Sequence, residues 1–121
     1  MKEQVLSIKQ MQELIALGVD TSKASLYWYE TDETNFVCFG TDMDKDFGDE
    51  ICPTFTLQDI LEIIKKNVLE KDLSLDLELN LINNQFQLTK EVDYSLYTSD
   101  GKTLLQSAFQ MLKWCKQNNY I

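Results

Sequence analysis

The chain is 121 residues long with a net charge of −9, 44% apolar and 26% charged residues, which suits one folded domain and excludes a disordered chain. It contains no histidine, and all eleven cations are lysines, so the commonest general base and metal ligand and the bidentate guanidinium clamp are both missing. Most familiar hydrolase, phosphoryl-transfer and nucleic-acid-binding designs are thereby disfavoured.

The first predicted element is a helix. Ser7 and Gln10 form a capping box, Leu6 staples onto Met11, and Ile8, Met11, Leu14 and Ile15 fall at helical spacing. Gly18 is placed to end it as a left-handed cap, with Val19 against Leu14. No apolar run approaches the roughly 18 residues of a membrane span, and the start lacks a signal-peptide core. A cytoplasmic location is expected, and Cys38, Cys52 and Cys115, odd in number and without metal-like spacing, agree with it.

A hairpin follows, Ser25 to Glu30 joined to Asn35 to Phe39, rich in aromatic and β-branched residues. Pairing Glu30 with Asn35 sets Tyr29 opposite Phe36, Trp28 opposite Val37 and Tyr27 opposite Cys38. Both faces are then apolar, where a sheet covered on one side needs only one. An acidic loop over about 40–52 comes next. Between Glu30 and Glu50 there are eight carboxylates and one lysine, so this window holds −7 of the net −9. Such a field repels nucleic acid and anionic membrane and attracts cations or basic surfaces.

Beyond Pro53, Thr56 and Asp59 make a second capping box, with Phe55 and Ile60 as its staple. Leu57, Ile60, Leu61, Ile64 and Val68 share one face of that helix. Leu73, Leu75, Leu77, Leu79 and Leu81 then alternate with polar residues, which predicts a strand with one wet face. A two-residue turn at Asn83-Asn84 would set Leu81 opposite Phe86, Leu79 opposite Leu88, Leu75 opposite Val92 and Leu73 opposite Tyr94. Only Leu77, against Lys90, breaks that match. A last helix runs from about Gly101 to Gln117, capped by Asn118-Asn119, with Tyr120-Ile121 folding back. The order helix, hairpin, helix, hairpin, helix predicts an α+β domain spanning 1–121, with a four-stranded, mainly antiparallel sheet and helices packed on one face.

Three stretches carry a resemblance: Val19-Asp-Thr-Ser-Lys-Ala-Ser25, Pro53-Thr-Phe-Thr-Leu-Gln-Asp-Ile-Leu61, and Ala108-Phe-Gln-Met-Leu-Lys-Trp-Cys115 with Asn119-Tyr-Ile121. With these the chain resembles small proteins of prophages and conjugative elements of gut anaerobes, for which no activity is known. The resemblance implies an intracellular accessory product, a binder more than an enzyme, and it carries over no site.

Candidate chemistry is thin. Asp42, Asp44 and Asp46 have the spacing that opens a calcium loop, but the required sixth and twelfth positions hold Phe47 and Pro53. Asp76 with Glu78, and Glu91 with Asp93, lie on the expected wet face, where nothing tunes a carboxylate for acid–base work. Asp20 to Lys23 lacks the glycine frame of a phosphate loop. The sequence therefore points to a non-enzymatic interaction module without cofactor. Tyr27, Trp28, Tyr29 and Phe36, rimmed by Asp42, Asp44, Asp46 and Asp49, would face a protein partner or a second copy. An acidic mimic of nucleic acid that inhibits a host DNA-binding protein is the alternative. A carboxylate- or metal-dependent enzyme is the weakest reading.

Overall fold

The computed structural model describes residues 4–30, 34–38, 49–91 and 94–121. The chain is α+β: α1 (Ile8–Ala16), β1 (Leu26–Glu30), β2 (Asn35–Cys38), β3 (Asp49–Thr54), α2 (Leu57–Ile64) continued by a π-helical turn (Lys65–Leu69), β4 (Leu75–Asn80), β5 (Gln85–Lys90), β6 (Tyr94–Thr98) and α3 (Leu104–Gln117). It divides into two compact units, Met1–Asp59 and Ile60–Ile121. The expected four-stranded sheet is replaced by two three-stranded antiparallel sheets, ordered β2-β1-β3 and β4-β5-β6.

In the first unit, the Ser7–Gln10 capping box is present in both directions. Gly18, at φ 89°, closes α1 as expected: its N–H donates to the Ile15 carbonyl, and the Val19 N–H donates to that of Leu14. The β1–β2 register is the predicted one, Tyr29 opposite Phe36, Trp28 opposite Val37 and Tyr27 opposite Cys38. The turn at 31–33 and Phe39 lie outside the described residues. The end of the expected acidic loop is instead β3, which pairs with the other side of β1 from Leu26 opposite Thr54 to Glu30 opposite Asp49. Pro53 lies within β3, which is an edge strand, where proline is tolerated. Val5 bridges Thr56, and the Leu6 N–H donates to the Phe55 carbonyl, tying the start of the chain to the end of β3.

In the second unit, β4 and β5 pair two residues away from the expected register: Leu75 faces Lys90, Leu77 faces Leu88 and Leu79 faces Phe86. The cause is the connection. Asn80 Oδ1 accepts from the N–H groups of Ile82 and Asn83, so Leu81 to Asn84 form a four-residue loop and not a two-residue turn. A shift of two keeps every side chain on its face, and it places Leu77 against leucine instead of lysine. The expected pairing of Tyr94 with β4 does not occur, and Val92 lies outside the described residues. β5 ends at Lys90, Glu91 takes a positive φ of 56°, and Tyr94–Thr98 returns as β6 along β5.

α3 packs on β5 and β6, burying Ala108, Phe109, Met111, Leu112 and Cys115. Its entry is tight: a Cβ on Gly101 would lie 2.9 Å from the Ser107 backbone nitrogen, so only glycine fits there. Asn119 (φ 64°) and the Tyr120 N–H, which donates to the Cys115 carbonyl, end the helix and fold the tail back. Trp114 stacks with Tyr97 at 4.9 Å and with Tyr120 at 5.3 Å, so its ring is engaged within the chain. The two halves repeat an order of elements and not a topology, because β1 is central in the first sheet and β5 in the second.

Candidate functional site

The aromatic residues singled out from the sequence do not form one open patch. Trp28 is 6% exposed, and its indole N–H donates to the Leu6 carbonyl at 2.8 Å. The buried Thr54 hydroxyl donates to the same oxygen at 2.8 Å. Trp28 is thus a core residue and is not presented to a partner. Tyr29 is also 6% exposed and stacks on Phe36 with centroids 5.9 Å apart. Tyr27 and Phe36 are half-buried. Asp49 opens β3 opposite Glu30, while Asp42, Asp44 and Asp46 lie outside the described residues. Among the described residues no group of three or more cysteines and carboxylates is arranged to hold a metal ion.

Exposed apolar surface is found in the second unit. Leu79, Leu81 and Ile82 are 47%, 69% and 92% exposed, all at the tip of the β4–β5 hairpin. The loop that carries them is firmly held. Besides the two bonds to Asn80, Asn84 Nδ2 donates to the Lys102 carbonyl at 3.1 Å, and the Ser107 hydroxyl donates to the Asn84 carbonyl. Asn84 itself adopts φ 53°, a conformation asparagine takes more readily than most residues. The tip is therefore a fixed display of apolar side chains docked on the start of α3.

Beside it, on the sheet face turned away from Phe86 and Leu88, lies a groove of about 470 Å³ floored by Glu78, Asn80, Gln85, Gln87 and Thr98 and walled by the three apolar residues. A second groove of about 480 Å³ continues along β4 past Glu78, Asp76 and Ser74 to Leu73 and Glu91. Asp76 and Glu78 are exposed there, the wet face that the alternation predicts. At its far end Asp72 Oδ1 accepts from the Ser74 hydroxyl and N–H, and these bonds hold the Asp72 carboxyl below its ordinary range. The exposed leucines were missed because strict alternation reads as one buried row. The signal was Leu81 followed by Ile82: adjacent apolar residues cannot both face the core side of a strand.

Among the described side chains, the two thiols are poor nucleophiles. Cys52 and Cys115 are free and buried. Burial raises both, Cys52 further through the nearby Glu50 charge, and Cys115 is pushed from 9.0 up to about 12. The folded chain thus keeps the Cys115 proton at a pH where the unfolded chain gives it up. The contribution of this thiol to stability is complete below pH 9 and is expected to be lost progressively as the pH rises toward 12. Urea unfolding at a series of pH values, with Cys115→Ala as the reference lacking this slope, checks the assignment.

No helix among the described residues is long and apolar enough to cross a membrane. Comparison with family models, curated proteins and solved structures finds no match, so the resemblance to mobile-element proteins rests on its sequence motifs alone.

Proposed function

We propose that this chain is a non-enzymatic protein-interaction module, a cytoplasmic accessory product of a mobile element, that engages another polypeptide through the β4–β5 hairpin. The observation that carries the reading is the Leu81–Ile82 pair, exposed at 69% and 92% on a loop held by hydrogen bonds from Asn80, Asn84 and Ser107. Large apolar residues kept in water on an ordered loop oppose the hydrophobic effect unless something covers them in use. This moves the contact surface away from the aromatic hairpin, whose Trp28 and Tyr29 are buried. The absence of histidine and arginine and the raised, buried thiols of Cys52 and Cys115 support a binder over a catalyst. The nucleic-acid-mimic reading depends on the acidic window from Glu30 to Glu50, of which 31–33 and 39–48 lie outside the described residues.

The test is a comparison of wild type with Leu81→Ser/Ile82→Ser, both checked for an unchanged melting temperature. Wild type is expected either to self-associate in light scattering or to retain a partner from extract of the cells that produce it, and the double variant to do neither. A monomeric wild type that retains nothing, or a variant that behaves as wild type, would sink the reading.

A further inference from the structure

β4 is an outer strand: β5 pairs with one side of it, and no described strand pairs with the other. Two bonds set the phase of its backbone. The Glu91 N–H donates across to the Ser74 carbonyl at 2.8 Å, whereas the Leu77 N–H turns to Asp76 Oδ1 at 2.9 Å. With a period of two, the backbones of Ser74, Asp76, Glu78 and Asn80 address β5, and those of Leu75, Leu77 and Leu79 address the outside. The Leu75 N–H is held by the Asp72 carbonyl at 3.1 Å. That of Leu77 is held by the carboxylate of an exposed side chain, one that a cation can draw away.

The side chains sort as sharply. Leu75, Leu77 and Leu79 share the face of Phe86 and Leu88, going from buried to half-buried to 47% exposed along the strand. On the other face Asp76 and Glu78 stand exposed over the two grooves, with Glu91 beside them. A strand added to this edge would place alternate side chains over these two rows.

We propose that the outer edge of β4 accepts an extended segment of another protein in which apolar and basic residues alternate. The proposal rests on the interaction-module reading and names the chemistry of its partner. Apolar residues of the incoming strand meet Leu77 and Leu79, and its cations meet Asp76 and Glu78, with the grooves taking their long stems. Asp76 acts as a latch: it caps the Leu77 N–H in the free chain and yields that donor to an incoming carbonyl once a cation draws the carboxylate aside. A second copy is disfavoured in the registers that use most of the strand, and centring on Leu79 leaves only a short overlap because β4 ends at Asn80. Antiparallel self-pairing centred on Leu77 sets Asp76 opposite Glu78, and centring on either acid sets identical carboxylates opposite each other, which is repulsive.

The probe is a short synthetic peptide of alternating valine and lysine, titrated onto the full chain and followed by amide chemical shift and hydrogen exchange. Binding should slow exchange at Leu77 and Leu79, and a valine–glutamate peptide should not bind. Asp76→Asn/Glu78→Gln should weaken binding about fivefold, as expected for two rim charge pairs. Leu79→Pro should abolish it, since its N–H faces outward and no ladder bond is lost. Failure of the lysine peptide to bind, equal binding of the glutamate peptide, or binding indifferent to Leu79→Pro would overturn the proposal. Should Leu79→Pro not fold, the charge-pair variant decides. If capture that depends on Leu81 and Ile82 persists while the peptide fails, the interaction reading stands and this edge is not its site.

Discussion

Trp28→Ala is expected to destabilise the protein by about 3–5 kcal/mol in urea unfolding, the range for removing a large aromatic ring from a packed core. Domains of this size hold only about 5–15 kcal/mol in total, so the variant would be marginal. The indole is 6% exposed and also spends its N–H on the Leu6 carbonyl. That oxygen has two donors, Trp28 Nε1 and Thr54 Oγ1, both at 2.8 Å, which allows a sharper test. Trp28→Phe alone leaves Thr54 on the carbonyl, and Thr54→Val alone leaves Trp28. Only the double variant strands a buried acceptor, so it should cost about 1 kcal/mol more than the two single losses added together. A loss below about 1 kcal/mol for Trp28→Ala would mean that the indole faces outward, as a hairpin read in isolation suggests.

That contrast marks what the amino-acid sequence makes legible. Both capping boxes, the Gly18 cap, the Asn119 cap and the β1–β2 register are encoded within a few residues of where they act, and each was readable. The burial of Trp28 depends on Leu6, 22 residues away, and on β3, whose start lies in the stretch expected as an acidic loop. In the second unit the alternating leucines fixed the faces of β4 and β5. They could not fix the register, because a shift of two preserves every face and only the Asn80 side chain decides the loop length. β6 was hidden for a related reason. The alternation runs on through Tyr94 as if β5 continued, and nothing before Glu91 announces its positive φ. The candidate site was half legible: Asp76 and Glu78 were expected to be wet, but the exposure of Leu79, Leu81 and Ile82 follows from the loop and was not foreseen.

Asp59→Ala should cost about 2–3 kcal/mol, more than the loss of an ordinary helix cap. The reason is the number of donors on one oxygen. Asp59 Oδ2 accepts from the Thr56 N–H at 3.0 Å, closing the capping box that starts α2. It also accepts from the Ser25 hydroxyl at 2.8 Å and the Ser25 N–H at 3.4 Å. Hydrogen bonds to a charged acceptor are the stronger kind, and a carboxylate in the first turn is also favoured by the helix dipole. One side chain therefore joins the start of α2 to the start of β1, the strand that carries Trp28. Thr56→Ala removes only the bond from the Asp59 N–H to Thr56 Oγ1 and should cost about 1 kcal/mol. Asp59→Asn retains an acceptor without the charge and should fall between the two. Ser25→Ala should add little on an Asp59→Ala background, because its partner is already gone, and this non-additivity separates a tether from a cap. If Asp59→Ala and Thr56→Ala prove equal in chemical unfolding, Ser25 contributes nothing through this oxygen, and β1 is held in place by its two neighbouring strands and the Trp28 bond to Leu6.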